Sequence, residues 1–368
     1  MSYRVRFIDP PRNYELIRDE IDAAYREVME AGDLIMRQQL ARFEANLATF
    51  VGTRYAVGVN SGYDALQLSV RALGLGPGDE VIVPAHTFVA SASAVVNHGA
   101  RAVLVDVGPD HNLDPDLIEA AVTARTRAIM PVHLNGLMAD MPRIMNLAGK
   151  YDLRVIEDAC QSLGAHVDGQ RAGSWGDTGC WSFYPFKILG GYGDGGGLTT
   201  DDREIYDLAR RLRYNGEDRE TGEYHGHGYT CLLDNLQAAW LDIKLRHLPD
   251  WIERRRRVAA MYREGLSGVG DLVLPLDNRE NFRHVYQNYV VMTSRRDELF
   301  DYLRDEGVET LVHWRKPYYR HAALALEDRG FAVTEKLSAQ VISLPMNVEI
   351  TDAEVRIVID TVRAFFAA

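Results

Sequence analysis

Residues 102–158 decide the fold, and they read AVLVDVGPDHNLDPDLIEAAVTARTRAIMPVHLNGLMADMPRIMNLAGKYDLRVIED. Short apolar runs alternate in this stretch with longer amphipathic segments. The apolar runs are 102–105, 128–132 and 153–156, and the amphipathic segments are 115–122 and 141–151. Apolar runs of strand length separated by segments with helical spacing indicate β-strands joined by crossover helices. Because such crossovers return the chain in the same direction, the stretch predicts parallel strands in one sheet.

The same alternation extends towards the N-terminus. Predicted strands cover 55–59 and 81–83, and predicted helices cover 64–73 and 90–97. Residues 15–49 precede them with the composition and apolar spacing of helices. Together these segments predict an α/β protein whose mainly parallel sheet is covered by helices on both faces. Ligands are expected at the carboxyl ends of the strands.

From about residue 203 onwards the chain has a different rhythm. Predicted helices there cover 203–214, 233–245, 251–266, 296–306 and 352–366, and a predicted strand begins near residue 286. Four consecutive arginines, Arg254–Arg257, indicate a solvated helix face. We therefore expect a large α/β domain of residues 1–250 and a smaller α+β domain of residues 251–368.

Composition and charge exclude several classes of protein. The 368 residues include 41 Lys and Arg against 53 Asp and Glu, a net charge of −12, so no cationic surface for nucleic acid is expected. The hydrophobic (46%) and charged (26%) fractions are typical of soluble globular proteins, and no apolar run is long enough to span a membrane. We expect a cytoplasmic protein with no nucleic-acid or membrane partner.

Cysteine and histidine patterns predict no metal site. Cys160, Cys180 and Cys231 lack the spacing of zinc ligands and are predicted to be buried thiols. His225 and His227 lie in a glycine-containing loop without a cluster of thiols or carboxylates, which favours ordinary loop residues.

Two glycine-rich stretches do not match nucleotide-binding motifs. Residues 74–78 (GLGPG) follow a predicted helix and precede a strand, which is the reverse of the dinucleotide-binding order. Residues 190–197 hold six glycines, but no Gly-Lys-Ser/Thr sequence follows, so a P-loop is excluded. The absence of GxSxG and HExxH from the sequence disfavours an α/β-hydrolase and a zincin.

Asp158 and Lys187 are the candidate catalytic residues. Asp158 ends an apolar run, where a carboxylate faces the expected crevice, and Lys187 lies between aromatic residues and glycines. Burial lowers the pKa of an amine towards the reactive neutral form. A lysine that forms a Schiff base and a carboxylate that keeps a pyridinium nitrogen protonated are the pair that pyridoxal phosphate chemistry requires. An ordinary Asp–Lys ion pair accounts for the same two residues.

Residues at other strand ends favour the cofactor over the ion pair. Gly62 and Tyr63 lie between a predicted strand and a helix N-terminus, where free N–H groups attract a phosphate. Ser182 adds a hydroxyl five residues before Lys187, and Phe88 follows another strand with a ring that can stack on a planar ligand. Each signal is weak alone, but their places at successive strand ends indicate one binding site.

Six motifs spread along the chain carry a family resemblance. They are GPGDEVIVP (76–84), VIEDA (155–159), SFYPFK (182–187), GDGG (193–196), LQAA (236–239) and SLPM (343–346). Through them the sequence resembles the DegT/DnrJ/EryC1/StrS family of PLP-dependent nucleotide-sugar aminotransferases. The resemblance runs nearly end to end, and it implies the aspartate-aminotransferase fold (PLP fold type I) with pyridoxal 5'-phosphate as cofactor.

The resemblance also implies roles for individual residues. Lys187 would be the Schiff-base lysine, and Asp158 would contact the pyridine nitrogen. Gln161 would lie near the phenolic oxygen, and Phe88 would stack on the ring. The residues that would hold the phosphate are Gly62, Tyr63 and Ser182.

One motif departs from the family pattern. Members usually carry Gly-x-Asn-x-Arg before the Gln-Ala-Ala helix, and the asparagine reaches the cofactor phosphate of a neighbouring subunit. Here Thr230 replaces the asparagine and Leu232 replaces the arginine. A threonine hydroxyl can still donate one hydrogen bond, so Thr230 is kept as a candidate cofactor residue, whereas the charge of the arginine is lost.

Residues 313–321 (HWRKPYYRH) form a candidate substrate site. The candidate substrate-binding residues are His313, Arg315, Lys316, Arg320 and His321. Guanidinium and ammonium groups suit a diphosphate, and flat rings suit a nucleobase or a sugar face. A solvated loop whose aromatic residues pack on the small domain accounts for this segment equally well.

We therefore predict an aminotransferase that converts the keto group of an NDP-linked sugar to an amine. The resemblance implies L-glutamate as the amino donor and a homodimer with shared active sites. Alternatives are a PMP/PLP-dependent sugar dehydratase, a non-catalytic PLP-binding protein and a dehydrogenase. Lys187 disfavours the dehydratase, because those lyases carry histidine at this position. The intact set of Asp158, Ser182 and Lys187 disfavours a non-catalytic protein. The order of helix, glycines and strand at residues 74–78 disfavours a dehydrogenase.

Overall fold

The computed structural model describes residues 3–277 and 281–367, which form twelve α-helices and twelve β-strands. The helices are α1 (Pro10–Leu16), α2 (Arg18–Ala31), α3 (Gln38–Val51), α4 (Gly62–Ala72), α5 (Ala90–Val96), α6 (Pro115–Ala121), α7 (Met141–Tyr151), α8 (Arg203–Leu212), α9 (Asn235–Leu266), α10 (Arg296–Asp305), α11 (Ala332–Gln340) and α12 (Asp352–Ala367). The strands are β1 (Tyr55–Val59), β2 (Glu80–Pro84), β3 (Arg101–Val105), β4 (Thr126–Ile129), β5 (Arg154–Asp158), β6 (His166–Val167), β7 (Gln170–Arg171), β8 (Thr178–Ser182), β9 (Gly196–Thr200), β10 (Phe282–Arg283), β11 (Tyr289–Met292) and β12 (Val341–Leu344).

Seven strands form the main sheet in the order β1-β9-β8-β5-β4-β2-β3. Six of these strands point the same way, and β9 runs antiparallel to both of its neighbours, β1 and β8. Helices lie in the connections from β1 to β5, whereas the crossover from β5 to its parallel neighbour β8 contains only the short strands β6 and β7. The predicted α/β class with a mainly parallel sheet is confirmed.

Side chains alternate across this sheet and build one core on each face. In β2, Ile82 packs into the first core, whereas Val81 and Val83 pack into the second. The first core receives residues from α3, α6, α7 and the first half of α9, and the second receives residues from α4, α5 and α8. Burial on both faces explains why the parallel strands are apolar throughout.

A third apolar cluster lies in the C-terminal part of the chain. It joins α10, α12, β11 and β12 to the second half of α9, and Val5 near the N-terminus belongs to it. Strands β11 and β12 form an antiparallel pair, so this part has the α+β content expected of it. None of the helices in the described residues has the length and apolar character needed to cross a bilayer.

The prediction of separate helices at 233–245 and 251–266 is wrong, because α9 runs unbroken through both. Pro249 lies inside it, where a proline removes one backbone hydrogen bond. The helix continues because it is buried along its whole length: Ile252 packs in the first core and Val258 in the third cluster. The predicted domain boundary near residue 250 thus falls inside a helix, and the division into 1–250 and 251–368 stays a prediction.

The prediction that Arg254–Arg257 form one solvated face is also wrong. Arg257 is exposed, but Arg255 is only 6% exposed. Its Nη1 donates to the carbonyl oxygens of three residues: Tyr286 (3.0 Å), Gln287 (3.3 Å) and Met346 (2.9 Å). Because consecutive helical residues point around the whole helix axis, four in a row cannot share one face. Arg255 therefore ties α9 to the segment before β11.

The three cysteines are unpaired. Cys180 and Cys231 are buried, as predicted, whereas Cys160 is partly exposed.

Candidate functional site

The carboxyl ends of four parallel strands bring the candidate residues together. Gly62 follows β1, Phe88 follows β2, Asp158 ends β5 and Ser182 ends β8. Because these strands are parallel, their carboxyl ends lie at the same edge of the sheet. Lys187 lies five residues beyond Ser182, in an irregular turn where its backbone N–H donates to the carbonyl oxygen of Tyr184 (2.8 Å).

The N-terminus of α4 forms an anion site at this edge. Ser61 caps the helix by accepting from the N–H of Asp64 (3.1 Å), which leaves the N–H groups of Gly62 and Tyr63 without an intrahelical acceptor. A Cβ on Gly62 would lie 2.8 Å from the Cβ of Ser182. The first turn of α4 therefore packs directly against Ser182, whose hydroxyl adds a donor to a site suited to phosphate.

A glycine makes this close packing possible. A Cβ on Gly196, in β9, would lie 2.2 Å from the carbonyl carbon of Ser61. A side chain there would push the turn between β1 and α4 out of place. Gly196 of the glycine run thus allows β9 to pack closely against the turn that forms the anion site.

Asp158 is buried at the end of β5, in register with Cys180 of the neighbouring strand β8. Its side chain is held by two donors: Ser91 Oγ reaches Oδ2 (2.7 Å), and the backbone N–H of Cys160 reaches Oδ1 (3.3 Å). The residue is 5% exposed. Ser91 is a functional residue that the sequence analysis missed, because nothing in the sequence pairs α5 with the end of β5.

Glu157, next to Asp158 in β5, is a second residue that the sequence analysis missed. It is fully buried and accepts the backbone N–H groups of Gly173, Trp175 and Gly176 at 2.7–2.8 Å. His133 Nε2 lies 2.9 Å from its Oε2. These contacts anchor the end of β5 and hence the backbone of Asp158. An acidic residue inside an apolar strand was the available signal.

Burial lowers the pKa of Lys187, although part of its side chain is open to the crevice. The charges of Cys160 and Asp158 oppose this effect, but the loss of water around the amine outweighs them. The neutral amine, which is the nucleophile, is therefore more populated at neutral pH than in a surface lysine.

Three histidines lie near one another beside Lys187 and the end of β2: His86 is buried, and His111 and His313 are half-buried. Burial lowers the pKa of His86 to about 3 and that of His111 to about 4, and burial together with the charge of Lys187 lowers the pKa of His313 to about 4. The rings of His86 and Trp314 meet edge to face with centroids 5.3 Å apart. All three imidazoles are therefore neutral at physiological pH. His86, His111 and Trp314 were missed as site residues, although His86 lies two residues before Phe88.

The structure divides the candidate substrate segment 313–321. His313 lies near enough to Lys187 for the charge of the amine to lower its pKa, and its Nε2 is buried without a hydrogen-bond partner among the described residues. Arg315 instead bonds Asp297, and Arg320 bonds Asp328 (3.2 Å) and Glu335. The remaining two candidates, Lys316 and His321, are exposed. One histidine of the segment thus lies near Lys187, while its two arginines hold carboxylates.

The other candidate residues occupy distinct positions. Gln161 accepts the N–H of Asn135 through Oε1 (2.9 Å), which fixes its amide. Phe88 is 55% exposed, so one ring face is free for stacking. Thr230 is exposed, and its hydroxyl donates a hydrogen bond to Asn215 Oδ1 (2.8 Å) rather than to a residue of the crevice.

Taken together, the crevice can hold a ligand with a phosphate at one end, a protonated ring nitrogen at the other and a carbonyl beside Lys187. No group of three or more His, Cys, Asp or Glu side chains within residues 3–277 and 281–367 is arranged to hold a metal ion.

The chain is similar to known proteins along nearly its whole length. Residues 15–363 match the model of the DegT/DnrJ/EryC1/StrS aminotransferase family. The chain is 43% identical to a dTDP-3-amino-3,4,6-trideoxy-alpha-D-glucose transaminase of Streptomyces venezuelae, over 98% of this chain and 96% of that protein. It is 41% identical to a UDP-2-acetamido-2-deoxy-3-oxo-D-glucuronate aminotransferase of Pseudomonas aeruginosa, over 96% and 98%.

A solved structure is similar throughout. The crystal structure of S. venezuelae DesV in complex with a ketimine intermediate superposes with a TM-score of 0.96 at 42% identity, and the match covers 100% of each chain.

The lowered pKa of Lys187 predicts how pyridoxal phosphate attaches to the protein. Because the neutral amine attacks, we expect the attachment rate to rise with pH and to level off below pH 10.5, the ordinary pKa of lysine. Asp158→Asn removes a charge that raises this pKa and should move the midpoint to lower pH. Absorbance after rapid mixing of cofactor with cofactor-free protein measures both. A midpoint at or above 10.5 would contradict the prediction.

Proposed function

The chain belongs to the DegT/DnrJ/EryC1/StrS aminotransferase family, and we propose that it transfers an amino group from L-glutamate to the keto group of a nucleotide-linked sugar. The observation that carries the proposal is a lysine of lowered pKa, Lys187, in one crevice with Asp158 and the N-terminus of α4. Relatives named as dTDP-sugar and UDP-sugar aminotransferases support the substrate class. The donor rests on the family resemblance.

The crevice fits pyridoxal phosphate, the cofactor of this family. When bound, this cofactor supplies an electrophilic aldehyde and a ring that accepts the electron pair released from the amino donor. Asp158 would hold the ring nitrogen, Phe88 the ring face and Gln161 the phenolic oxygen. The groups that would hold the phosphate are the N–H groups of Gly62 and Tyr63 and the hydroxyl of Ser182.

Lys187 has two tasks. Its neutral amine attaches the cofactor, and burial makes that neutral form available. Once the donor amine has replaced it, Nζ is free to act as a general base and acid. It would move the proton of the donor Cα to the cofactor in the first half-reaction, and it would move a proton from the cofactor to the former keto carbon of the sugar in the second.

Asp158 keeps a proton on the ring nitrogen. Its carboxylate is turned to one orientation by Ser91 and by the N–H of Cys160, and its burial excludes water that would compete for the proton. A fixed carboxylate costs no reorganisation when charge develops on the ring.

We propose that His313 contacts the sugar. Its neutral imidazole has an unpartnered Nε2 and lies near Lys187, so it can donate to or accept from a hydroxyl. Arg315, Lys316, Arg320 and His321 stay candidates for the diphosphate. For Arg315 and Arg320, binding would require exchange of their present carboxylate partners for phosphate.

We also propose a homodimer whose active sites lie at the subunit junction. Three aromatic side chains, two in the turn that carries Lys187 and one after β2, are about half exposed: Tyr184, Phe186 and Phe88. Exposed aromatic groups of this size beside a crevice are typical of surfaces covered by a ligand or partner. The resemblance assigns the position of Thr230 to the cofactor phosphate of the neighbouring subunit, and the residue is exposed; its hydroxyl would have to exchange Asn215 for the phosphate.

Lys187→Ala tests the central assignment. We expect a loss of turnover of about 100-fold or more, because both attachment and proton transfer disappear, while cofactor still binds without a covalent bond. Borohydride reduction followed by peptide mapping should label Lys187 in the unsubstituted protein. Lys150→Ala, on the surface, serves as the control. Labelling at another lysine, or undiminished turnover of Lys187→Ala, would refute the assignment.

A panel of nucleotide-linked ketosugars tests the substrate class. With L-glutamate present, we expect at least one dTDP- or UDP-linked ketosugar to give an aminosugar detected by its mass. His313→Phe should reduce turnover of that sugar while glutamate still converts the cofactor, because the imidazole faces the sugar. Conversion of glutamate without any aminated sugar would reject the nucleotide-sugar proposal.

Light scattering tests the homodimer. The expected mass is about twice the 41.4 kDa of one chain. Lys187→Ala and Thr230→Val chains are also mixed. The activity of the mixture should differ from the summed activities of the two variants measured separately only if the active sites are shared between subunits. A fully active monomer is the outcome that would exclude the shared site.

A further inference from the structure

The segment that carries Lys187 has little secondary structure of its own. Residues 183–190 form turns between β8 and β9, and the backbone N–H of Lys187 bonds only within the turn, to Tyr184. Further along, Lys244 Nζ donates to the carbonyl oxygen of Gly190 (2.8 Å), and the N–H of Gly191 donates to Phe183 (2.7 Å). The two backbone groups that flank Lys187 are the carbonyl of Phe186 and the N–H of Ile188. Both are held by a side chain from outside the turn.

One buried side chain bonds both of these groups. Gln287 Nε2 donates to the carbonyl oxygen of Phe186 (2.8 Å), and Gln287 Oε1 accepts the N–H of Ile188 (2.6 Å). Gln287 is 6% exposed. No other hydrogen bond to either group is found in the described part of the chain. A single amide thus replaces the strand or helix partner that this turn lacks.

The geometry of these two bonds bears directly on Lys187. The carbonyl of Phe186 belongs to the planar peptide group before the Cα of Lys187, and the N–H of Ile188 belongs to the planar peptide group after it. Holding both planes fixes the direction in which the Cα–Cβ bond leaves the backbone. Because Nζ stands at the end of a flexible four-carbon stem, a small rotation at Cα moves it far.

The backbone of Gln287 is itself anchored. Arg255 Nη1 donates to the carbonyl oxygens of Tyr286 (3.0 Å) and Gln287 (3.3 Å). The next residue, Asn288, donates through Nδ2 to Asn135 Oδ1 (3.2 Å), and the N–H of Asn135 bonds Gln161. Residues 286–288 therefore link α9 both to the turn that carries Lys187 and, through Asn135, to Gln161.

We propose that Gln287 is a positioning residue that sets the direction of Lys187 by bonding both peptide groups joined at its Cα. This inference rests on the proposed role of Lys187. A primary amide suits the task because it presents a donor and an acceptor side by side, one for each peptide group. Gln287 is not a catalytic residue, since it reaches the reaction only through Lys187.

Gln287→Met removes the two hydrogen bonds and keeps the length of the side chain. We expect kcat to fall by about 10-fold to 100-fold, because a displacement of about 1 Å at the reacting group costs that much, while KM for the donor stays close to its original value. The pH midpoint of the absorbance of the cofactor attached to Lys187 should also shift. In the full-length protein, with or without cofactor, hydrogen exchange at Ile188 should become faster.

Gln287→Glu provides a variant whose effect is reversible. A buried carboxylate places an oxygen against the carbonyl of Phe186, whereas its protonated form can donate there and still accept from Ile188. Burial raises the pKa of such a group, so lowering the pH restores the donor. We expect kcat relative to that of the unsubstituted protein to recover as the pH falls and to be lost again as it rises.

Asn235→Leu is the matched control. The Asn235 amide is also buried and bridges two backbone groups, the N–H of Leu40 (2.9 Å) and the carbonyl of Asp33 (2.6 Å). Its loss should lower thermal stability but leave the absorbance midpoint and the exchange of Ile188 unchanged. Circular dichroism establishes that each variant is folded.

The outcomes separate the two proposals. If the unsubstituted protein attaches cofactor at Lys187 and Gln287→Met keeps its kcat, absorbance midpoint and Ile188 exchange, the positioning role is overturned and the proposed function stands. The positioning role is likewise overturned if Asn235→Leu shifts the midpoint as much as Gln287→Met does. If the unsubstituted protein attaches no cofactor at Lys187, both proposals fail.

Discussion

The removal of water from around Lys187 is the constraint on which the site depends. An ammonium group loses hydration when protein surrounds it, so burial destabilises the charged form relative to the neutral amine and lowers the pKa. Asp158 and Cys160 pull the pKa the other way without overcoming the effect of burial. Burial also lowers the pKa values of His86, His111 and His313, so these imidazoles add no positive charge beside Lys187 at neutral pH.

Residues far apart in the sequence meet because six strands of one sheet point the same way. The turn at Gly62, the carboxylate of Asp158 and the hydroxyl of Ser182 each follow a different strand to the same edge. Close approach then needs small residues, and the glycines at 62 and 196 have no room for a side chain. Glu157 holds the end of β5 from behind by accepting three backbone N–H groups. The chemistry at the edge is therefore supported by contacts that take no part in it.

Long-range contacts override local signals wherever the structure departs from the sequence-based predictions. Pro249 is a local signal to end a helix, yet α9 continues because cores on either side of the proline bury both halves. Arg255 lies in a charged run, yet it is buried because three carbonyl oxygens from distant segments accept its protons. In the same way, the sequence suggests Arg315 and Arg320 as phosphate ligands. In the structure both pair with carboxylates, from α10 and from the segment around α11.

Although it did not predict β8, which carries Ser182, the sequence by itself determined the α/β class and five of the six parallel strands, and it proposed the candidate cofactor residues from Gly62 to Lys187. It could do so because apolar periodicity and the residues at strand ends are local properties, and parallel strands bring their carboxyl ends together. Only the tertiary structure decided which residues support them. Ser91 beside Asp158, His86 and His313 beside the crevice, and Gln287 on both sides of Lys187 come from distant segments. Their hydrogen bonds and the desolvation that sets their pKa values exist only after packing, so no local pattern encodes them.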